Sequence, residues 1–190
     1  LLTGFFWFNE ASLREGADVL AGNAILLQFI SVSAFFLDGF AYITESHVGK
    51  AVGARDRAAF DRAVRLTSEQ AALAAVALSA AFFAFGSITI DALTTDPAAR
   101  AAASAYLPWC ALAPLLGMPS WQLDGVMIGA TRGALMRNAM AASLAIYLAL
   151  DFALRPAFGG HGLWAAFLGY YVARAATLAV GWPRLRRSLR

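Results

Sequence analysis

The stretch Val19–His47 reads VLAGNAILLQFISVSAFFLDGFAYITESH, and it decides the fold. It is apolar over most of its length, and as an α-helix at 1.5 Å per residue it would extend about 43 Å. The hydrocarbon core of a bilayer is only about 30 Å thick, so such a helix can cross it with a tilt or project beyond it. The stretch therefore predicts a transmembrane helix.

The composition of the whole chain also indicates a membrane protein. Of the 190 residues, 60% are hydrophobic and 14% are charged, and the mean hydropathy is +0.62. Soluble domains carry roughly 45–50% apolar and about 25% charged residues. A soluble core of this size could not bury the surplus apolar surface, whereas a bilayer accommodates it.

On both sides of this stretch, turn signals alternate with further apolar runs. A loop rich in glycine and charge follows at residues 49–57. Asp96–Pro97 predicts a helix start, because Asp can cap a helix and Pro suits its first turn. Three prolines in the fourth run predict bends. The chain therefore predicts an all-α, six-helix transmembrane bundle, a single lobe over residues 1–190, with spans at about 1–12, 19–47, 70–90, 98–130, 138–153 and 163–182.

The first of these spans is shorter than the others. The chain opens without an initiator Met or a basic leader, so this run does not have the pattern of a signal peptide. It would form about 20 Å of helix, which is too short for a 30 Å hydrocarbon core. We therefore expect the chain to begin inside a helix of a longer protein.

The basic residues predict the orientation. Eleven of the 15 Lys and Arg residues fall on one side of the six predicted spans and only three on the other. Because cytoplasmic loops carry the excess of Lys and Arg, we expect a multi-pass cell-membrane protein with its C-terminus in the cytoplasm. The pI near 9.4 then reflects loops that face anionic lipid rather than nucleic acid. The eleven are Lys50, Arg55, Arg57, Arg62, Arg65, Arg132, Arg137, Arg184, Arg186, Arg187 and Arg190.

A polar stripe runs along the second predicted helix. Its members are spaced three, seven, four and three residues apart, so they share one helix face. Polar groups are costly in lipid, so the face must line a cavity or form a polar seam that only packs helices. The members are Gln28, Ser31, Asp38, Tyr42 and Glu45.

A second membrane aspartate, Asp124, lies in the fourth helix, with Trp121 about one turn before it. Nearby glycines fit tight helix packing, but a carboxylate does not serve that purpose. Desolvation favours the protonated carboxyl, so such a group can exchange a proton near neutral pH, as a proton carrier must. Arg174 lies inside the sixth span, where it either pairs with an acidic residue or extends to the interface.

Other chemistry finds no support in the sequence. No metal-ligand spacing, nucleotide-binding loop or nucleophile–base motif is present, so we expect neither an enzyme nor a bound cofactor or metal. Cys110 is the only cysteine and can form no disulfide within the chain.

The aspartates of the predicted spans also bear on other interpretations. Asp151 and Arg155 are four residues apart and are predicted to form an interfacial ion pair. An intramembrane aspartyl protease would need Gly-x-Gly-Asp, which neither Asp38 nor Asp124 has.

Several segments resemble the MATE (multidrug and toxic compound extrusion) family, and in particular its DinF-like branch. The similarity runs along essentially the whole chain. It is carried by LAGNAILLQ at 20–28, LDGFAY at 37–42, VGKAVGARD at 48–56, QLDGVMIGATR at 122–132 and MRN at 136–138.

The resemblance implies an architecture and a function. Family members have twelve helices in two six-helix lobes, and this chain resembles the second lobe, with the N-terminal lobe as its partner. The implied function is a cation-coupled antiporter that exports bulky, often cationic or amphipathic compounds, with H+ as the expected coupling ion and Na+ not excluded. Asp124 matches a tenth-helix carboxylate implicated in cation binding, and Asp38 matches an aspartate common in the branch.

Two alternatives stay open. One is a lipid-linked oligosaccharide flippase of the same superfamily, although such proteins line their cavity with several cationic residues and only Arg174 is available here. The other is a half-transporter remnant that does not transport, because one lobe lacks half of the central cavity.

Overall fold

Polar caps and short turns divide the chain into helices in a computed structural model that describes residues 2–189. The carboxylate of Asp56 accepts from the backbone N–H of Ala59 at 2.9 Å, and that of Asp96 accepts from Ala98 at 3.1 Å, so each aspartate caps the helix that follows it. The helices are α1 (Leu2–Glu15), α2 (Ala17–Gly53), α3 (Arg57–Leu93), α4 (Pro97–Gly129), α5 (Gly133–Ala179) and α6 (Trp182–Arg187). The predicted all-α class and the helix start at Asp96–Pro97 are confirmed.

The longest helix, α5, folds back on itself. Gly159 has φ 53° and ψ −133°, a combination that is not helical and that glycine adopts without a steric penalty. The ring of Tyr147 lies 5.6 Å from that of Tyr170, and the Thr177 hydroxyl lies 3.5 Å from the carbonyl of Ala139. Such contacts require an antiparallel pair, so we call residues 133–158 the first arm of α5 and residues 160–179 its second arm.

Within residues 2–189, four helical segments are long and apolar enough to cross a membrane. They are Ala17–Gly53, Arg57–Leu93, Pro97–Gly129 and Gly133–Arg187, the last containing both arms of α5 and α6. Helix α1 has 14 described residues, or about 21 Å, and α6 has only six. The count of six spans and their boundaries therefore stay a prediction.

Two clusters of buried side chains hold the bundle together. The larger joins the helices α1 to α5 and contains aromatic pairs such as Phe8 with Trp164 at 5.0 Å and Trp121 with Tyr171 at 5.3 Å. The smaller includes Phe60 and Leu185 and packs α3 and α6 against α2, α4 and α5. Edge-to-face ring pairs of this kind add stabilisation beyond their buried area.

Helix α4 packs against α2 with almost no side chain between them. A Cβ added at Gly125 would collide with the carbonyl oxygen of Ala41, and one added at Gly129 with that of Glu45. Glycine lets the two backbones approach this closely, as in small-residue packing of membrane helices. This close contact fixes α2 and α4 as the neighbours that form the candidate site.

Candidate functional site

A cavity of about 250 Å³ lies between α2 and α4. Three acidic side chains line it: Asp38 and Glu45 from α2, and Asp124 from α4. Tyr42 and Trp121 complete its polar and aromatic wall. The sequence places the α2 members on one helix face, and the glycines of α4 bring Asp124 opposite them.

Asp124 forms a two-point ion pair with Arg174 on the second arm of α5. The Arg174 Nε–Asp124 Oδ2 distance is 3.0 Å, and Nη2 lies 3.0 Å from Oδ1 and 2.9 Å from Oδ2. The Arg174 side chain is only 3% exposed and that of Asp124 is 16% exposed. Fork-shaped pairs of this kind are strong and directional. Of the two positions that the sequence left open for Arg174, the structure shows the pair.

The other two carboxylates of the cavity have no such partner. Among residues 2–189, Asp38 and Glu45 make no hydrogen bond or ion pair, and both are half-buried. The cavity is therefore lined by three acidic groups, and the one guanidinium close to it, that of Arg174, lies behind Asp124 and is not part of the lining. The Nε and Nη2 atoms of Arg174 both bind Asp124, whereas its buried Nη1 has no hydrogen-bond partner in the described chain. The balance of charge favours a cationic occupant.

Two members of the predicted stripe lie away from the cavity. Gln28 is exposed, and the Ser31 hydroxyl donates to the carbonyl of Leu27 at 2.8 Å, one turn earlier in the same helix. Gln28 is about 15 Å along the helix from Asp38, at 1.5 Å per residue. The stripe is continuous on the helix surface, but the described cavity begins only at Ala34.

A buried polar cluster that sequence reasoning did not assemble lies where α2, α3 and α4 meet. The side-chain amide of Gln122 donates to Thr44 at 2.7 Å and to Thr67 at 2.9 Å, and the two hydroxyls lie 2.7 Å apart. Gln122 sits two residues before Asp124, so this cluster anchors the segment of α4 that carries the aspartate. The only sequence signal is a polar residue inside each of three apolar runs.

Asp151 occupies a different environment from the interface at which it was expected. Its side chain is fully buried, it accepts a hydrogen bond from the Trp7 indole at 2.9 Å, and Arg155 Nε lies 3.4 Å from its Oδ1. The pairing with Arg155 follows from the spacing, but its burial follows from the packing of α1 against α5. Cys110 is also fully buried.

No group of three or more His, Cys, Asp or Glu side chains within residues 2–189 is arranged to hold a metal ion. The arrangement at the cavity can instead bind a cation through carboxylate oxygens. It can also take up a proton at Asp124, at the cost of the ion pair with Arg174.

Comparisons with known proteins identify the family and the fold of the chain. The profile of the family described as MatE matches residues 6–153. DNA damage-inducible protein F of Escherichia coli strain K12 is 37% identical over 171 residues, which cover 90% of this chain and 37% of that protein. The crystal structure of the eukaryotic MATE transporter AtDTX14 superposes with a TM-score of 0.84 at 15% identity, over 99% of this chain and 45% of that one. The chain thus spans less than half the length of either relative.

Proposed function

The chain belongs to the MatE family, which consists of transporters and not enzymes, and from this premise we propose that it forms one lobe of a cation-coupled antiporter. The coupling ion proposed is H+, with Na+ as the alternative. The exported compounds are bulky and often cationic or amphipathic. Its partner in the transporter would be the N-terminal six-helix lobe of the same protein.

The observation that carries the proposal is the acidic cavity between α2 and α4. Asp38 and Glu45 are unpaired in the described chain, and Asp124 is balanced by Arg174 alone. An organic cation entering this space would meet net negative charge and the faces of Tyr42 and Trp121, to which cations are also attracted. The pyrophosphate of a lipid-linked oligosaccharide would meet repulsion, so the geometry favours the antiporter over the flippase.

The ion pair supplies a route for coupling. Protonation of Asp124 removes the charge that compensates Arg174, and breaking a buried pair by losing one partner costs roughly 3–5 kcal/mol. Asp124 lies on α4 and Arg174 on the second arm of α5, so the proton weakens a contact between two helices. A local charge change of this size can bias an element that has two arrangements.

The side of α2 and α4 that lines the cavity also supports a partner lobe. The cavity is lined from α2 and α4 and includes half-buried carboxylates that lipid would not solvate. A second lobe packed over this face would convert the cavity into the central space of a transporter.

The decisive experiment measures efflux of a fluorescent organic cation from vesicles that contain both lobes, driven by an imposed pH gradient. We expect Asp124→Asn to abolish pH-driven efflux. Because Asn would leave Arg174 unpaired and could destabilise the bundle, the double variant Asp124→Asn/Arg174→Gln serves as a second test that removes both charges. Asp91→Asn, at an exposed pair with Arg100, is the matched control and should transport normally.

The outcomes separate the alternatives. Wild-type efflux in Asp124→Asn would reject the coupling role and leave a structural aspartate. Absence of efflux from the unmodified two-lobe protein would favour the remnant. Efflux driven by a sodium gradient but not by a pH gradient would replace H+ by Na+.

The proposed orientation, with the C-terminus in the cytoplasm, is tested by cysteine labelling. Arg187→Cys should resist an impermeant maleimide in intact cells and react after permeabilisation. Cys110 is fully buried, so the unmodified chain is the blank. Labelling of position 187 from outside would reverse the assignment.

A further inference from the structure

The short helix α6 is anchored across one end of the bundle. Leu185 and Leu189 are 2% and 3% exposed and belong to the smaller buried cluster, and the Trp182 ring packs on Phe60 at 5.3 Å. The apolar side chains of this segment therefore face the bundle, and Arg184 and Arg187 between them are exposed. Basic side chains at the ends of membrane-spanning helices are positioned to meet lipid headgroups. Tryptophan is also enriched at this level of the bilayer.

The arginines around α6 are only partly neutralised. Arg186 binds Asp61 through three contacts of 2.6–3.2 Å, and Arg57 Nε lies 3.8 Å from the same carboxylate. Arg184 and Arg187 have no acidic partner in the part of the chain that the structure describes. One carboxylate thus serves two arginines, and no acidic group among residues 2–189 pairs with the other two.

Two cavities flank α6, and each contains one of these unpaired arginines. The first has a volume of about 240 Å³ and is lined by Arg57, Trp182, Pro183, Arg186 and Arg187. The second, of about 350 Å³, is formed with the turn between α4 and α5, and Arg132 and Arg184 line it together with the Thr131 and Gly133 positions. Arg132 also donates to the Ser188 hydroxyl at 3.1 Å, which fixes its position beside α6.

We propose that these two cavities bind the headgroups of anionic phospholipids and so fasten α6 to the membrane surface. The occupant is a lipid and not a free anion, because each cavity combines basic groups with apolar walls beside α6: Trp182 and Pro183 in one, Leu135 and Val180 in the other. Basic clusters at the ends of transmembrane helices attract anionic lipid in this way. This inference does not depend on the transport cycle or its coupling ion.

The test is a competition between two lipids. The purified protein in neutral detergent is mixed with equal amounts of dioleoyl-phosphatidylglycerol and dioleoyl-phosphatidylcholine, and native mass spectrometry measures the ratio of bound lipids. We expect phosphatidylglycerol to be preferred. Because each arginine near a membrane surface contributes about a fivefold preference, Arg184→Gln/Arg187→Gln should lower the ratio by about 25-fold.

Arg55→Gln is the matched control, because Arg55 is exposed in the nearby α2–α3 turn and lines neither cavity. It should keep the unmodified ratio. An equal loss in this control would show a diffuse charge effect and overturn the assignment to the cavities, as would an unchanged ratio in the double variant. Inorganic phosphate in excess should displace little phosphatidylglycerol, and full displacement would identify a free anion as the occupant. Leu185 of α6 and Leu189 just beyond it remain in every variant, so the anchoring contacts are retained.

Discussion

The half-buried Asp124 and the fully buried Asp151 each have an arginine partner, yet they occupy different surroundings. Asp124 is held at two points by Arg174, with distances of 2.9–3.0 Å, and its side chain is 16% exposed to a cavity. Asp151 is fully buried, receives a hydrogen bond from Trp7 and lies 3.4 Å from Arg155 Nε.

The difference shows that access, and not charge pairing, separates a candidate transport residue from a structural one. Asp124 borders open space that a proton or cation can reach, and its partner comes from a different helix. Asp151 is enclosed by α1, where the Trp7 ring also packs on Phe152 at 5.6 Å, and its arginine comes from the same helix arm. Protonation of Asp124 would therefore weaken a contact between two helices, whereas protonation of Asp151 would disturb only a local contact.

The largest expected effect comes from removing the arginine of the cavity pair. We expect Arg174→Leu to lower the free energy of unfolding by roughly 3–5 kcal/mol, because it leaves Asp124 buried without its partner. Thermal unfolding in detergent measures the change. The double variant Arg174→Leu/Asp124→Leu should recover most of the lost stability, since well-packed apolar residues often replace a buried pair without net cost. A double variant no more stable than the single one would show that the pair is not the cause.

A smaller effect is expected from a substitution that tests the packing of α4 on α2 against that of α1 on α5. We expect Gly125→Ala to cost roughly 1–3 kcal/mol, because its methyl group would press on the backbone of α2 at Ala41. Gly4→Ala, on the α1–α5 side, is the matched control. A Cβ there would lie 3.5 Å from the Tyr170 ring, an ordinary contact, so stability should hold. Equal tolerance at both positions would contradict the close α2–α4 approach described above.

The smallest effect is expected at the enclosed carboxylate. Asp151→Asn keeps an oxygen that can accept from Trp7. The Arg155 contact that it weakens is a single one at 3.4 Å, unlike the two-point pair of Asp124, so the free energy of unfolding should change by about 1 kcal/mol or less. Efflux driven by a pH gradient should be unchanged. Loss of efflux in Asp151→Asn, measured beside Asp124→Asn, would remove the distinction between the two carboxylates.

Much of the local structure follows from the sequence. The helix start at Asp96–Pro97 is local chemistry, since the cap and the proline act within one turn. The apolar runs and the shared face of Asp38, Tyr42 and Glu45 follow from helical spacing, and these three side chains do line one cavity. Spacing alone could not show where the cavity ends, so Gln28 and Ser31 were placed in the same group.

Contacts between distant segments could not be predicted in the same way. The partner of Arg174 is 50 residues away, and Gln122 reaches Thr44 and Thr67 across 78 and 55 residues. Nothing in a single sequence marks such pairs, because each side chain alone is only a polar residue in an apolar run. The burial of Asp151 has the same origin, since Trp7 covers it from 144 positions away.

The sequence by itself determined a membrane-embedded α-helical protein, the helix start at Asp96–Pro97 and the family resemblance, because composition, capping and helical periodicity act over a few residues. Only the tertiary structure decided which carboxylate faces open space and which is enclosed. The reason is physical: the electrostatic environment of a group depends on the atoms within a few ångströms of it. In this bundle those atoms come from other helices, brought together by the glycine contacts of α2 with α4 and by the reversal of α5 at Gly159.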